Sequence, residues 1–179
     1  MTRPPLDATE AQFRLAMGRF ASGVTVVTTV VDGAEHAMTA SSVCSVSVEP
    51  LLFLVCIERD ARFHDAVVGA GVLALNILSA DQRAVSEWLA TRGRPVHGQL
   101  ERVPHVPGPA TGAPLLAGVQ ASIEGRIDAV HAAGDHSIIV AEALAVVLDP
   151  RPPEPLLHYR SGYRALASLS ALGPPPPRG

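Results

Sequence analysis

The chain has 179 residues, 47% of them hydrophobic and 17% charged, with 17 acidic against 14 basic side chains for a formal charge of −3. That length suits one domain with a sizeable core, and the apolar content excludes global disorder. The slight acidity offers no concentrated basic surface, so nucleic acid is not an expected partner.

From the N-terminus, Asp7 to Phe20 reads as a helix capped by Asp7 or Thr9, with Phe13, Met17 and Phe20 at helical spacing. Ser22-Gly23 ends it, and the β-branched run Val24 to Val31 is a strand signal. Asp32-Gly33 supplies a hairpin turn. His36 to Ser42 and Cys44 to Val48 follow as two short strands or one bent strand. Glu49-Pro50 then breaks the pattern before Leu51 to Glu58, which is apolar on both faces. A short helix is expected over Ala61 to Val68, and a strand over Val72 to Leu78. A helix capped by Ser79 or Asp81 runs to Leu89, with Val85, Trp88 and Leu89 as its apolar stripe. Arg92 to Gly112, with Pro95, Pro104, Pro107 and Pro109, reads as an ordered excursion with little regular structure, the kind of long loop that carries function or an interface. Gln120 to Val130 and His136 to Leu148 resume as strands, and Leu169 to Gly179 reads as a proline-rich disordered tail after a domain spanning 1–168.

No apolar run reaches the ~20 residues of a membrane helix, and the N-terminus lacks a basic segment followed by an apolar one, so membranes are not expected partners and the cytoplasm is the expected location. Cys44 and Cys56 lie in apolar surroundings without zinc-like spacing, as free thiols in a reducing compartment do. The spacing of His97, His105, His131 and His136 is irregular, and no metal site is expected. About seven strands with hairpin-like connections, and no G-x-G-x-x-G after the first, disfavour a dinucleotide-binding doubly wound sheet. A mostly antiparallel barrel with peripheral helices fits better.

One segment goes beyond fold. Between Ala37 and Ile57 the hydroxyls of Thr39, Ser41, Ser42, Ser45 and Ser47 interrupt apolar strands. Burying such groups unpaired costs roughly 1–3 kcal/mol each, so they need backbone partners or an acceptor-rich ligand.

With that segment, Phe13 to Thr29, Leu75-Asn76-Ile77-Leu78, Gly112 to Leu116, Ala133 to Ile138 and Tyr159 to Arg164 occur in the order in which similar stretches occur in the flavin reductase-like family. The resemblance covers about residues 10–167. It implies a mainly β, FMN-binding split barrel with peripheral helices, typically a homodimer. The implied activity is hydride transfer from NADH or NADPH to FMN or FAD, with reduced flavin passed to a separate flavin-dependent monooxygenase. The alternative is a flavoprotein that keeps its FMN tightly bound for another role.

By the same resemblance Met38, Thr39, Ala40, Ser41 and Ser42 contact flavin. Cys44 forms a further pocket wall, Arg62 and His64 serve the phosphate, and Tyr163 approaches the flavin. His136, after Gly134-Asp135, is the mechanistic side chain beside flavin and nicotinamide. Two departures stand out. Asp60 to His64 lacks the Ser and Thr that many relatives carry there, and Arg94-Pro95-Val96 replaces the usual Asp-Lys-Phe.

Overall fold

A computed structural model of the protein describes residues 8–95, 97–150 and 153–166; the expected tail over 169–179 lies outside them. The chain runs α1 (Glu10–Met17), β1 (Ser22–Gly23), β2 (Thr25–Val31), β3 (Ala34–Ala40), β4 (Val43–Val48), β5 (Leu51–Glu58), α2 (Arg62–Ala70) and β6 (Val72–Ile77). It continues through a 3-10 turn (Ala80–Gln82) to α3 (Arg83–Ala90), β7 (His105–Pro107), β8 (Pro114–Leu116), β9 (Ala121–Ala133), β10 (His136–Leu148), β11 (Leu157–Tyr159) and β12 (Gly162–Arg164). Seven strands form one antiparallel sheet in the order β3-β2-β6-β9-β10-β5-β4. The Cys56 N–H donates to the Ser42 carbonyl at 3.0 Å, bringing the chain just after β3 onto β5 at the far side of the sheet, so the sheet curls towards a barrel with helices outside it, as expected.

The β-branched run of β2 explains its central place. Val27 faces one core cluster, with Phe53, Val55, Ile57, Leu73 and Ile139, into which α2 inserts Phe63 and Val67. Val26 faces the other way, into a second cluster with Leu78, Leu89, Leu100 and Leu116. The threonines between them are buried but paired: Thr25 donates to the Ala40 carbonyl at 2.7 Å, Thr28 to Pro114 at 2.6 Å and Thr29 to Val72 at 2.7 Å. Satisfied hydroxyls let a strand be buried on both faces.

The structure departs from the expected elements in three places. The helix α1 is capped by Thr9, whose box with Gln12 is complete, but Phe13, Met17 and Phe20 stay exposed. The proline-rich excursion holds a short strand, β7, which pairs with β8 just beyond its end. Trp88, expected in the helix core, is half-exposed and donates its indole N–H to the Gln99 carbonyl at 2.9 Å. No helix among the described residues is long and apolar enough to cross a membrane.

Glu124 of β9 anchors the end of the excursion. It is buried, and its Oε2 accepts from the Ala110 and Thr111 N–H groups at 3.0 and 2.7 Å and from the Thr111 hydroxyl at 2.8 Å. A Cβ on Gly108 would meet that oxygen at 2.3 Å and the Ala113 carbonyl at 2.9 Å. Gly108→Ala must therefore push the carboxylate off its donors, at an expected cost of about 2–4 kcal/mol. Urea denaturation checks this; a loss below about 0.5 kcal/mol would show that the turn shifts freely.

Candidate functional site

A groove of about 590 Å³ opens between β3, the end of β5, the start of α2 and the segment after α3. That volume lies in the range of small-molecule sites. Five of the residues expected at a ligand, Met38, Thr39, Ala40, Ser41 and Ser42, form one wall, and Arg62 and His136 also line it.

β3 is an edge strand, and its register decides what it offers. It pairs with β2 alone, Val27 opposite Met38 and Thr28 opposite Ala37. In an antiparallel pair, alternate residues turn both backbone groups towards the partner strand or away from it. Ala37 turns away: its N–H donates to Gln99 Oε1 at 3.3 Å and its carbonyl accepts from the Arg94 guanidinium. Two residues on, Thr39 presents its N–H and carbonyl on the same outward edge, into the groove. Its hydroxyl is occupied, donating to the Ser86 carbonyl of α3 at 2.8 Å.

The far wall is a strap formed by residues 91–95 and 97–99, at the start of the excursion that the sequence marks as a loop carrying function or an interface. Arg92 clamps both carboxylate oxygens of Glu58 at 2.9 and 2.8 Å. Arg94 donates to the Ala37 and Thr91 carbonyls, and its own carbonyl accepts from Arg62. Burial first, and then the neighbouring Arg62 charge, hold the Arg94 pKa below its usual value. Its Nε is buried without a protein partner among the described residues. Two adjacent guanidiniums, one with an orphaned donor, suit an anionic group, whereas Arg92 is already spoken for by Glu58.

His136 opens β10 directly after the Gly134-Asp135 turn, where Gly134 takes a φ of +64° that favours glycine. The Asp135 carboxylate lies 2.8 Å from His136 Nδ1. That hydrogen bond, followed by the imidazole charge, depresses the Asp135 pKa. With Nδ1 engaged, Nε2 is the ring atom left for a ligand. Cys56 also lines the groove, but burial raises its thiol pKa, so it is a wall rather than a nucleophile. His36, on the same wall, has its pKa lowered by burial and then by His97.

Three expected residues lie off the groove lining. Cys44 is exposed on β4, its Sγ turned to the Ser45 carbonyl at 3.0 Å. His64 turns back to Ser137, 2.9 Å away. Tyr163 borders a smaller recess of about 190 Å³ with Arg83 and Leu156, its hydroxyl 2.9 Å from Ser86 Oγ and its ring under the Arg83 guanidinium. Arg92, Arg94, Gln99 and Glu58 are groove residues that sequence reasoning missed. Two signals pointed at the strap, the long proline-rich excursion that starts at Arg92 and the exchange of Asp-Lys-Phe for Arg94-Pro95-Val96.

An outward strand edge, paired arginines and a partly apolar floor fit the polar rim, the phosphate and the ring of a flavin. Comparison with known proteins agrees. The family model described as "Flavin reductase like domain" matches residues 17–167. The NADH-using flavin reductase of Kitasatospora aureofaciens is 39% identical over 153 residues, covering 84% of this chain and 78% of its own. The reductase component of 4-hydroxyphenylacetate 3-monooxygenase from Thermus thermophilus is 36% identical, covering 86% of this chain and 95% of its own. Among solved structures, the NADH:FAD oxidoreductase of Streptomyces globisporus, in complex with NAD and FAD fragments, superposes with a TM-score of 0.83 at 33% identity, covering 88% of this chain and 93% of that one. Matched along nearly all of its barrel and carrying the groove besides, the chain belongs to the flavin reductase-like family.

Proposed function

We propose that the groove along β3 seats the flavin of an NAD(P)H:flavin oxidoreductase, and that this chain supplies reduced flavin to a separate monooxygenase. The carrying observation is the Thr39 edge: a backbone N–H and carbonyl aimed into a groove whose other end holds Arg62 and Arg94. Flavin, when bound, supplies the redox chemistry as a two-electron acceptor of hydride from nicotinamide. The protein's own part is placement and polarity. Fixed backbone donors on a rigid strand stabilise negative charge at the ring's polar edge without reorganising. Arg62 and Arg94 would hold phosphate, and the Glu58–Arg92 clamp fixes the strap that forms the opposite wall.

Hydride transfer needs alignment of two rings rather than an acid or a base. His136, locked by Asp135, is placed to orient the nicotinamide. His136→Ala is expected to lower turnover about ten- to hundredfold without abolishing it, because misplacement and not chemistry is what the variant introduces. Stopped-flow measurement of the hydride-transfer step checks this, and an unchanged rate would remove His136 from the mechanism.

NADH is the expected donor, as it is for the named relatives from Kitasatospora and Streptomyces. Transfer to a monooxygenase rests on the named Thermus relative, a monooxygenase's reductase component. A homodimer is supported by the apolar side chains exposed at one end of β4, β5 and β10, namely Val48, Leu51, Val146 and Leu148, an exposure that marks interaction surfaces. A monomer mass by sedimentation would remove that part. Two free cysteines suit the cytoplasm. Loss of NADH absorbance that requires added FMN or FAD tests the activity. No oxidation with either flavin and either nicotinamide would contradict it.

A further inference from the structure

We propose that His64 and Ser137 form a positioning pair that sets the spacing between Arg62 and His136 across the groove, and that His64 does not itself touch the flavin. The inference rests on the reading of the groove as a flavin site. It starts from the weak start of α2. The N-cap position is Ala61, which has no side chain able to cap, so the turn that carries Arg62 lacks the usual local anchor. Phe63 buries that turn in the core cluster, but apolar packing has no direction, so something else must fix how the turn is oriented against β10.

The hydrogen bonds show what does. His64 Nε2 lies 2.9 Å from Ser137 Oγ, and both side chains are largely buried, the His64 side chain 14% exposed and Ser137 4%. His64 Nδ1 lies 3.1 Å from the exposed carboxylate of Asp65. Nδ1–H donates to that carboxylate, and Nε2 then accepts the Ser137 hydroxyl. Both ring nitrogens are thereby used, and neither remains for a phosphate.

The two partners are sequence neighbours of groove residues. Ser137 follows His136, and its backbone is fixed on both sides in the sheet, opposite Ile57 of β5 and Ala132 of β9. His64 lies two residues beyond Arg62, on the same helical turn. One buried hydrogen bond therefore couples the helix bearing the phosphate-side arginine to the strand bearing the nicotinamide-side histidine. The device recurs next door: an adjacent aspartate also engages Nδ1 of His136, but there Nε2 is left for the groove. Two Asp–His pairs of like design thus serve different ends, one for a ligand and one for the frame.

The test is a double-mutant cycle on the full-length protein with His64→Ala, Ser137→Ala and both together, plus His64→Gln, whose amide can take the place of Nε2. The readouts are the FMN dissociation constant by quenching of flavin fluorescence, and KM and kcat for FMN, at a temperature where circular dichroism shows every variant folded. Each single alanine variant is expected to raise the dissociation constant and KM about five- to tenfold, the effect of losing one buried hydrogen bond. With saturating flavin, kcat should stay within about twofold, the double variant should be no worse than either single, and His64→Gln should recover most of the loss. Losses that add in the double variant, or a loss with His64→Ala but none with Ser137→Ala, would place His64 on the ligand and overturn the proposal. Lower melting temperatures with unchanged flavin affinity would overturn it too, leaving a brace with no bearing on the groove. Absence of flavin binding by the unaltered protein would overturn the flavin reading, and this role with it.

Discussion

Replacing Thr39 with proline is expected to weaken flavin binding about tenfold or more while leaving the protein folded. The reason lies in the register of β3. Thr39 sits opposite Val26 in the ladder, but its backbone groups turn away from β2, as those of Ala37 demonstrably do. Proline on an edge strand is tolerated where the lost N–H does not serve the ladder. The substitution therefore removes one outward donor and no β2–β3 hydrogen bond. Losing a fixed donor leaves a ring carbonyl of the neutral oxidised flavin without its partner, at a cost of about 1–3 kcal/mol, and 1.4 kcal/mol is tenfold. Thr39→Val is the matched control. It also loses the hydroxyl bond to the Ser86 carbonyl but keeps the N–H, and its affinity should fall less than about threefold. Fluorescence titration with FMN measures both, and equal losses in the two variants would show that the hydroxyl, not the strand edge, matters.

Asn76→Leu is expected to cost about 3–5 kcal/mol of stability, the largest effect of any single change away from the groove. Asn76 is wholly buried on β6. Its Nδ2 donates to the Val26 and Pro114 carbonyls at 3.2 and 3.3 Å, and its Oδ1 accepts from the Leu116 N–H at 2.9 Å and the Ser122 hydroxyl at 2.8 Å. One amide thus joins β2, β6, β8 and β9. Leucine has nearly the same shape but leaves the Leu116 N–H and the Ser122 hydroxyl buried and unpaired, at about 1–3 kcal/mol each. Set against the 5–15 kcal/mol typical of a domain, that is a large fraction. Adding Ser122→Ala should return about 1 kcal/mol, because one orphaned group goes with it. Urea denaturation of the two variants measures both effects, and a loss under 1 kcal/mol for Asn76→Leu would mean the site repacks or admits water.

What the sequence disclosed follows from where local rules govern. The β-branched run of β2 reads as a strand because no other conformation suits it, and Gly134-Asp135 reads as a turn because a positive φ is needed there. The wall from Met38 to Ser42 was legible from the family resemblance; the expectation that its hydroxyls are buried did not hold, since Ser41, Ser42 and Ser45 are exposed and the Thr39 hydroxyl is paired with the Ser86 carbonyl. The contacts of the strap were not legible. Arg92, Arg94 and Gln99 acquire their roles only when the segment after α3 is brought against β3 and β5, and no periodicity announces that approach. The strands β7 and β8 are three residues each and set among prolines, too short for alternation to show. Tyr163 belongs to a tight hairpin with positive φ at Arg160 and Ser161, and its ring meets α3 rather than the groove. Cys44 lies on β4 at the edge of the sheet, where Cys44, Ser45 and Val46 are exposed in succession and no alternation could have told wall from solvent.

The most direct test of the account is a crystal structure of the protein soaked with FMN. The account predicts the flavin ring along Met38 to Ser42, a ring acceptor within hydrogen-bond distance of the Thr39 N–H, and the phosphate at Arg62 and Arg94. A flavin seated instead at the recess beside Tyr163, or bound in the groove with its phosphate turned away from both arginines, would contradict it.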